Sequence, residues 1–235
     1  MSGWKAKRFW KEAVVCPAEG GFAVMLDGRA VKTPAKTPLV VPTEGLARAI
    51  AAEWDAQTGL VRPATMPFTR TANSALDKVA PQFGAVVGML ADYGGTDLLC
   101  YRATDPAALI DRQNSGWNPL LDWAAATFDA PLRAVPGVMF IPQDAAALRN
   151  LHAAVASQSA FQVAGFHDLV AISGSLILGL AVTQGRLTPD EAFALSRIDE
   201  HWQAELWGVD EDAAILEAHK KDAFAQAARF FALCG

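Results

Sequence analysis

Asp27-Gly28 is flanked by two stretches rich in apolar residues, 22–26 (FAVML) and 29–33 (RAVKT). Both central residues of a type I′ turn need positive φ, and Asp-Gly between such runs meets that need, so the segment reads as a β-hairpin. Residues 20–42 as a whole read as β. Pro34, Pro38 and Pro42 bracket Leu39-Val40-Val41. Proline cannot donate to a ladder, which predicts a short edge strand there. Thr43 then reads as a helix N-cap, with Leu46, Ala49, Ile50 and Trp54 on one face behind it. Gly59 closes that helix, Pro63 and Pro67 mark a connector, and from Phe68 onward the apolar spacing is helical. The expected class is α+β, mainly α. A small N-terminal α+β domain holding the β-hairpin (1–78) is followed by a C-terminal orthogonal helical bundle (79–235).

Within the helical part the spacing predicts segments at 73–79 and 82–92. Another is capped by Asp105-Pro106, and one starts near Asn118-Pro119. Four more lie at 144–159, 161–183, 188–207 and 210–233. Thr188-Pro189-Asp190-Glu191 combines an N-cap, a proline at the first helical position and an acidic residue at the third. Leu195, Ile198, Trp202 and Leu206 are expected as a buried stripe, with Gly208 ending the helix. Asp210-Glu211-Asp212 caps the last helix. Ser173-Gly174-Ser175 is read as small residues inside an apolar helix, and 130–142, rich in Pro and Gly, as a loop.

The chain has 235 residues, 52% of them hydrophobic, and a mean hydropathy of +0.17, enough to bury a core. A net charge of −5 lacks the basic footprint of a nucleic-acid binder. The run 169–182 is shorter than the roughly 20 residues a membrane span needs, which predicts a core helix and no stable membrane insertion. Cys16, Cys100 and Cys234 form no CxxC pair, and a reducing compartment fits them. The basic start has no apolar segment behind it and lacks the features of an organelle transit peptide, so a bacterial cytoplasmic protein is expected.

Signatures of catalysis are sparse. GxxxxGK[ST], a GxGxxG after a strand, GxSxG and HExxH are all absent. Cys100, beside Tyr101-Arg102, has no base in evidence and reads as a buried thiol. The best metal-like group is Asp199, Glu200, His201 and Glu205, in which His201 and Glu205 are one helical turn apart. It keeps open a metal- or acid/base-dependent enzyme with its site in the helical bundle. The same group also reads as a solvated or partner-binding face. Of seven tryptophans, Trp54, Trp123 and Trp202 are expected in the core, and Trp207, next to a helix-ending glycine, at the surface. Trp4 and Trp10 belong to the N-terminal stretch.

A series of short motifs adds a further reading. Arg8-Phe9-Trp10, Asp27-Gly28-Arg29, Lys32-Thr33-Pro34, Val41-Pro42 and Glu53-Trp54 with Gln57 come first. Met66-Pro67, Asn73, Asp77 and Asp97 with Cys100-Tyr101-Arg102 follow. Gln113, Trp117, Trp123, Ser196-Arg197, Glu200 and Trp207-Gly208 complete the order. In order and spacing the chain resembles the assembly chaperones that handle the alpha subunit of the F-type ATP synthase. That resemblance implies a non-enzyme without cofactor or metal. It would bind the unassembled alpha subunit, prevent its aggregation until beta subunit takes over, and be a monomer when free. Family counterparts in eukaryotes work in the mitochondrial matrix. The resemblance also points to acidic residues of the C-terminal region, here Glu200 and Glu211, with Glu205 and Trp207 as further client-binding candidates. Asp27, Gly28, Lys32, Thr33, Pro34 and Trp54 form its structural motif.

Overall fold

A computed structural model describes residues 7–235, so Trp4 lies outside the described residues. The fold is α+β and mainly α, and the chain forms two compact units. The first holds residues up to Phe83 together with Ala160–Gly165 and Arg229–Gly235; the second holds Gly84–Ser159 and Phe166–Ala228.

The first unit is built on a four-stranded antiparallel sheet. β1 (Ala13–Ala18) pairs with β2 (Gly21–Leu26). The other side of β2 is shared by β3 (Arg29–Ala30) at one end and β4 (Val40–Val41) at the other. Asp27 and Gly28 take φ of 46° and 80°, and Leu26 faces Arg29, as a type I′ hairpin requires. β4 occupies the expected edge. β1 was not foreseen, since its alternating burial is weak and Pro17 interrupts it. α1 (Glu44–Asp55) lies against the sheet, and its N-cap Thr43 accepts a hydrogen bond from the Leu46 amide. Leu46, Ile50 and Trp54 of α1 join Val24, Leu39, Val41 and Met66 in one core. Phe230 and Cys234, from the far end of the chain, complete that core, and Phe161 packs on it. α2 (Pro67–Ser74) leads through a π-helical turn, Ala75–Val79, into a 3₁₀ turn at Ala80–Gln82.

The second unit is helical apart from one short parallel pair, β5 (Tyr101–Arg102) with β6 (Val135–Pro136). Its helices are α3 (Phe83–Ala91), which starts at the last residue of the first unit, α4 (Ala107–Phe128) and α5 (Ala145–Ala156). They are joined by the greater part of α6 (Ala160–Ser173), by α7 (Leu176–Thr183), α8 (Pro189–Leu195) and α9 (Ile198–Trp207), and by α10 (Glu211–Ala232) up to Ala228. Among the described residues no helix is long and apolar enough to cross a membrane.

Four helix assignments are corrected. α4 is one helix of 22 residues that passes through Pro119, where a second helix was expected to begin. Proline removes one backbone donor, but burial of Trp117, Leu120, Leu121 and Ala124 around it carries the helix on. That helix has Pro106 at its N-cap without a side-chain bond, so Asp105 does not cap it. The segment 161–183 is two helices. Gly174, at φ 71°, ends α6, and the Ser175 hydroxyl caps α7 by accepting from the Leu178 amide. Residues 188–207 also break at Ser196-Arg197, while the capping box at Thr188 and Glu191 forms as expected. The expected stripe divides with that break. Ile198 is buried, Leu195 and Trp202 are half-buried, and Leu206 is exposed. Trp10 and Trp117 are more buried than the tryptophans expected in the core; Trp54 is buried, and Trp123 and Trp202 are half-buried.

Candidate functional site

In the first unit several residues of the sequence motif make hydrogen bonds and ring contacts within the unit. The Asp27 carboxylate accepts from the Lys11 and Glu12 amides, and these bonds hold its pKa below the ordinary carboxylate value. Thr33 is buried. Its hydroxyl donates to Asp77 Oδ1 at 2.7 Å and accepts from the Thr37 amide, while the Ala35 amide donates to Asp77 Oδ2. The Lys32-Thr33-Pro34 turn is therefore clamped to the π-helical turn by a single carboxylate. Trp54 packs edge-on against Trp10, with ring centroids 5.2 Å apart. Beside it, Glu53 reaches over to head α2. Its carboxylate accepts from the Phe68 and Thr69 amides and from the Thr69 hydroxyl, at 2.7–2.8 Å. Burial pushes this carboxyl up, and those bonds oppose the shift.

The second unit has a comparable hub that the sequence did not reveal as one. Asp97 is fully buried and accepts from the Leu99 amide, the Ser175 hydroxyl and the Ile177 amide. One carboxylate thus serves both a 3₁₀ turn (Leu98–Cys100) and the N-terminus of α7. Burial raises its pKa to about 6. Cys100 is buried as expected, and burial pushes its thiol up to about 12, which leaves it a neutral packing group.

The metal-like group does not converge. Gln113 Nε2 donates to Asp199 at 2.6 Å, and Arg197 pairs with Glu200 at 2.7 Å. His201 Nε2 meets Glu217 at 2.7 Å, and Arg112 grips Glu205 with both guanidinium nitrogens, at 2.7 and 2.9 Å. The hydrogen bond from Arg112 holds the Glu205 carboxyl below its usual range. The idea that His201 and Glu205 share a ligand is corrected accordingly, since each side chain is turned to a different partner. Among the described residues no group of three or more His, Cys, Asp or Glu is placed to hold a metal ion.

The structure collects something else at the junction of α9 and α10. Leu206, Trp207, Val209, Ile215 and Leu216 are all exposed, Trp207 at 78%. Glu205, Asp210, Glu211 and Asp212 are interleaved with them and also exposed, and Glu200 lies one to two turns before. The corner is held from within. His201 ties α9 to α10 through Glu217, Lys221 pairs with Asp190, and the Ala213 amide donates to Asp210 Oδ1 at 2.8 Å. Clustered exposed apolar side chains with a polar rim mark interaction surfaces. A second exposed run, Val138-Met139-Phe140, follows β6. Its signal in the sequence is four consecutive apolar residues, Val138 to Ile141, inside a loop rich in Pro and Gly.

Comparison with known proteins gives the class as a chaperone. The family model for the ATP12 chaperone protein matches residues 7–125. The mitochondrial protein atp12 of Schizosaccharomyces pombe is 27% identical over 224 residues, covering 88% of this chain and 75% of that protein. The crystal structure of Atp12 from Paracoccus denitrificans superposes with a TM-score of 0.95 at 53% identity, over 99% of this chain and all of that one. A protein of Agrobacterium tumefaciens matches with a TM-score of 0.91 at 40% identity, over 96% of this chain and 84% of that one. The chain belongs to the ATP12 chaperone family, the family of ATP synthase assembly chaperones that its motifs resemble.

Proposed function

We propose that this chaperone binds the unassembled alpha subunit of the F-type ATP synthase, prevents its aggregation and hands it on to the assembling catalytic head. The observation that carries this reading is the α9–α10 corner, with Trp207, Leu206, Val209, Ile215 and Leu216 exposed among carboxylates. A subunit made before its neighbours exposes apolar interface and is prone to aggregate. A chaperone covers such a surface with an apolar patch of its own, and a carboxylate rim sets orientation and rejects wrong partners. Glu200, Glu205, Glu211 and Trp207 are the residues assigned to that contact. Asp27, Gly28, Lys32, Thr33, Pro34 and Trp54 hold the scaffold. Handover requires moderate affinity, and the reading involves no catalytic step, cofactor or metal. It places a free monomer in the bacterial cytoplasm, in the role that the mitochondrial relatives fill in the matrix.

Size-exclusion chromatography with freshly refolded alpha subunit tests it, with beta subunit added afterwards. A co-eluting complex that beta dissolves is the expected result. Alpha subunit that aggregates as it does alone, at equimolar protein, sinks the proposal.

A further inference from the structure

Arg102 is an anomaly in the second unit. It is 7% exposed, yet no carboxylate of the described residues forms an ion pair with it. Its Nε donates to the Leu99 carbonyl at 2.9 Å and its Nη1 to Asn114 Oδ1 at 3.0 Å, while the guanidinium carbon stacks 5.2 Å from the Trp117 ring. Its Nη2 is buried and has no acceptor among the described residues. Buried charges in folded proteins are normally paired, because an uncompensated one is costly. Three contacts fix this guanidinium in place, and none of them neutralises it.

Arg102 lines an open pocket of about 490 Å³. Ile110, Asn114 and Asn118 line it as well, four residues apart along one face of α4, and β6 closes it with Val135 and Pro136. Asn114 spends its carbonyl oxygen on Arg102, so its amide nitrogen remains available to a ligand. Asn118 and the hydroxyl-bearing Thr104 add further groups able to donate around one fixed positive charge, and the rest of the lining, Ala103, Ile110, Ala134, Val135 and Pro136, is apolar. A carboxylate matches this set: one negative charge for one guanidinium, with oxygens for the amides. A phosphate group carries about −1.5 to −2 and calls for more cations than the pocket holds. Immediately after Pro136 the chain presents Val138, Met139 and Phe140 to solvent. Any polypeptide whose acidic side chain entered the pocket would meet apolar surface on its flank.

We infer that this pocket receives an aspartate or glutamate side chain from a segment of the client polypeptide, with neighbouring apolar residues of that segment against Val138–Phe140. The inference rests on the chaperone reading for its occupant, and the site is distinct from the α9–α10 corner. Arg102 would anchor the carboxylate, and Asn114 and Asn118 would orient it.

The test uses the full chain, labelled with ¹⁵N, and two probes: acetyl-Val-Glu-Phe-amide and its glutamine counterpart. The glutamate peptide should shift the side-chain amide signals of Asn114 and Asn118 and the backbone amide of Gly137, and bind about tenfold or more tightly than the glutamine peptide. Asn118→Asp, at an exposed position that leaves the fold intact, should abolish that preference. Equal shifts from both peptides, or none, overturn the inference. The same variant is then run with alpha subunit. If Asn118→Asp binds it as wild type does while variants of the α9–α10 corner do not, the pocket assignment falls and the chaperone reading stands. If the glutamate peptide binds selectively but wild type captures no alpha subunit, the carboxylate site stands and the client assignment falls.

Discussion

Replacing Asp97 by asparagine tests whether one buried carboxylate organises the second unit. The side chain is fully buried and accepts three hydrogen bonds, from the Leu99 amide, the Ser175 hydroxyl and the Ile177 amide. Asparagine keeps the shape and only one acceptor oxygen, so its NH₂ must face a backbone donor. One orphaned buried donor costs about 1–3 kcal/mol. The loss should also depend on pH. In the unfolded chain Asp97 titrates at 3.8, and in the folded protein at about 6. Between those values the folded state holds a proton that the unfolded state has released, so this group's contribution to stability falls as pH rises through the window. The gap corresponds to roughly 3 kcal/mol, or about 6–12 °C in melting temperature. The asparagine side chain does not titrate, so comparing the two proteins cancels every other carboxylate. Urea unfolding followed by tryptophan fluorescence should show Asp97→Asn most destabilising near about pH 4, with the deficit shrinking by about 3 kcal/mol toward about pH 8. A deficit that stays flat, or grows with pH, refutes the argument that burial dominates this carboxyl.

Glu53→Gln should cost about 1–3 kcal/mol in chemical denaturation, because the amide cannot accept from Phe68, Thr69 and the Thr69 hydroxyl together; an unchanged midpoint contradicts it. Trp54→Arg should destabilise by more than about 3 kcal/mol, seen as insoluble or low-melting protein, since an unpaired charge would enter a buried position beside Trp10. Leu216→Asp and Trp207→Asp should leave the melting temperature within about 2 °C of wild type, as exposed substitutions do. Both should weaken co-elution with alpha subunit, and normal capture by both would remove the corner from the binding surface. Glu200→Lys and Glu211→Lys should also fold normally, with at least one of them losing client affinity; retention by both contradicts an acidic contact.

Local chemistry determined what a short window of sequence can encode. Asp27-Gly28 dictated its hairpin because few dipeptides satisfy two positive φ values in succession. Thr43, Thr188 and Asp210 announced helix starts because a cap is completed within three residues. The family could be recognised because many weak signals kept their order. Tertiary structure decided the rest. Gly174 ends a helix inside a run so apolar that no periodicity marks the break, and Pro119 fails to end one because the residues around it are buried. Leu206 reads as core by spacing yet is exposed, in the last turn of a helix that ends beside Gly208. Asp199, His201 and Glu205 sit within two helical turns, but Gln113, Glu217 and Arg112 approach from other helices and draw them apart. Arg102 lacks an anionic partner among the described residues for the same reason: whether a buried charge is paired depends on which distant segments arrive beside it, and adjacency along the chain does not record that.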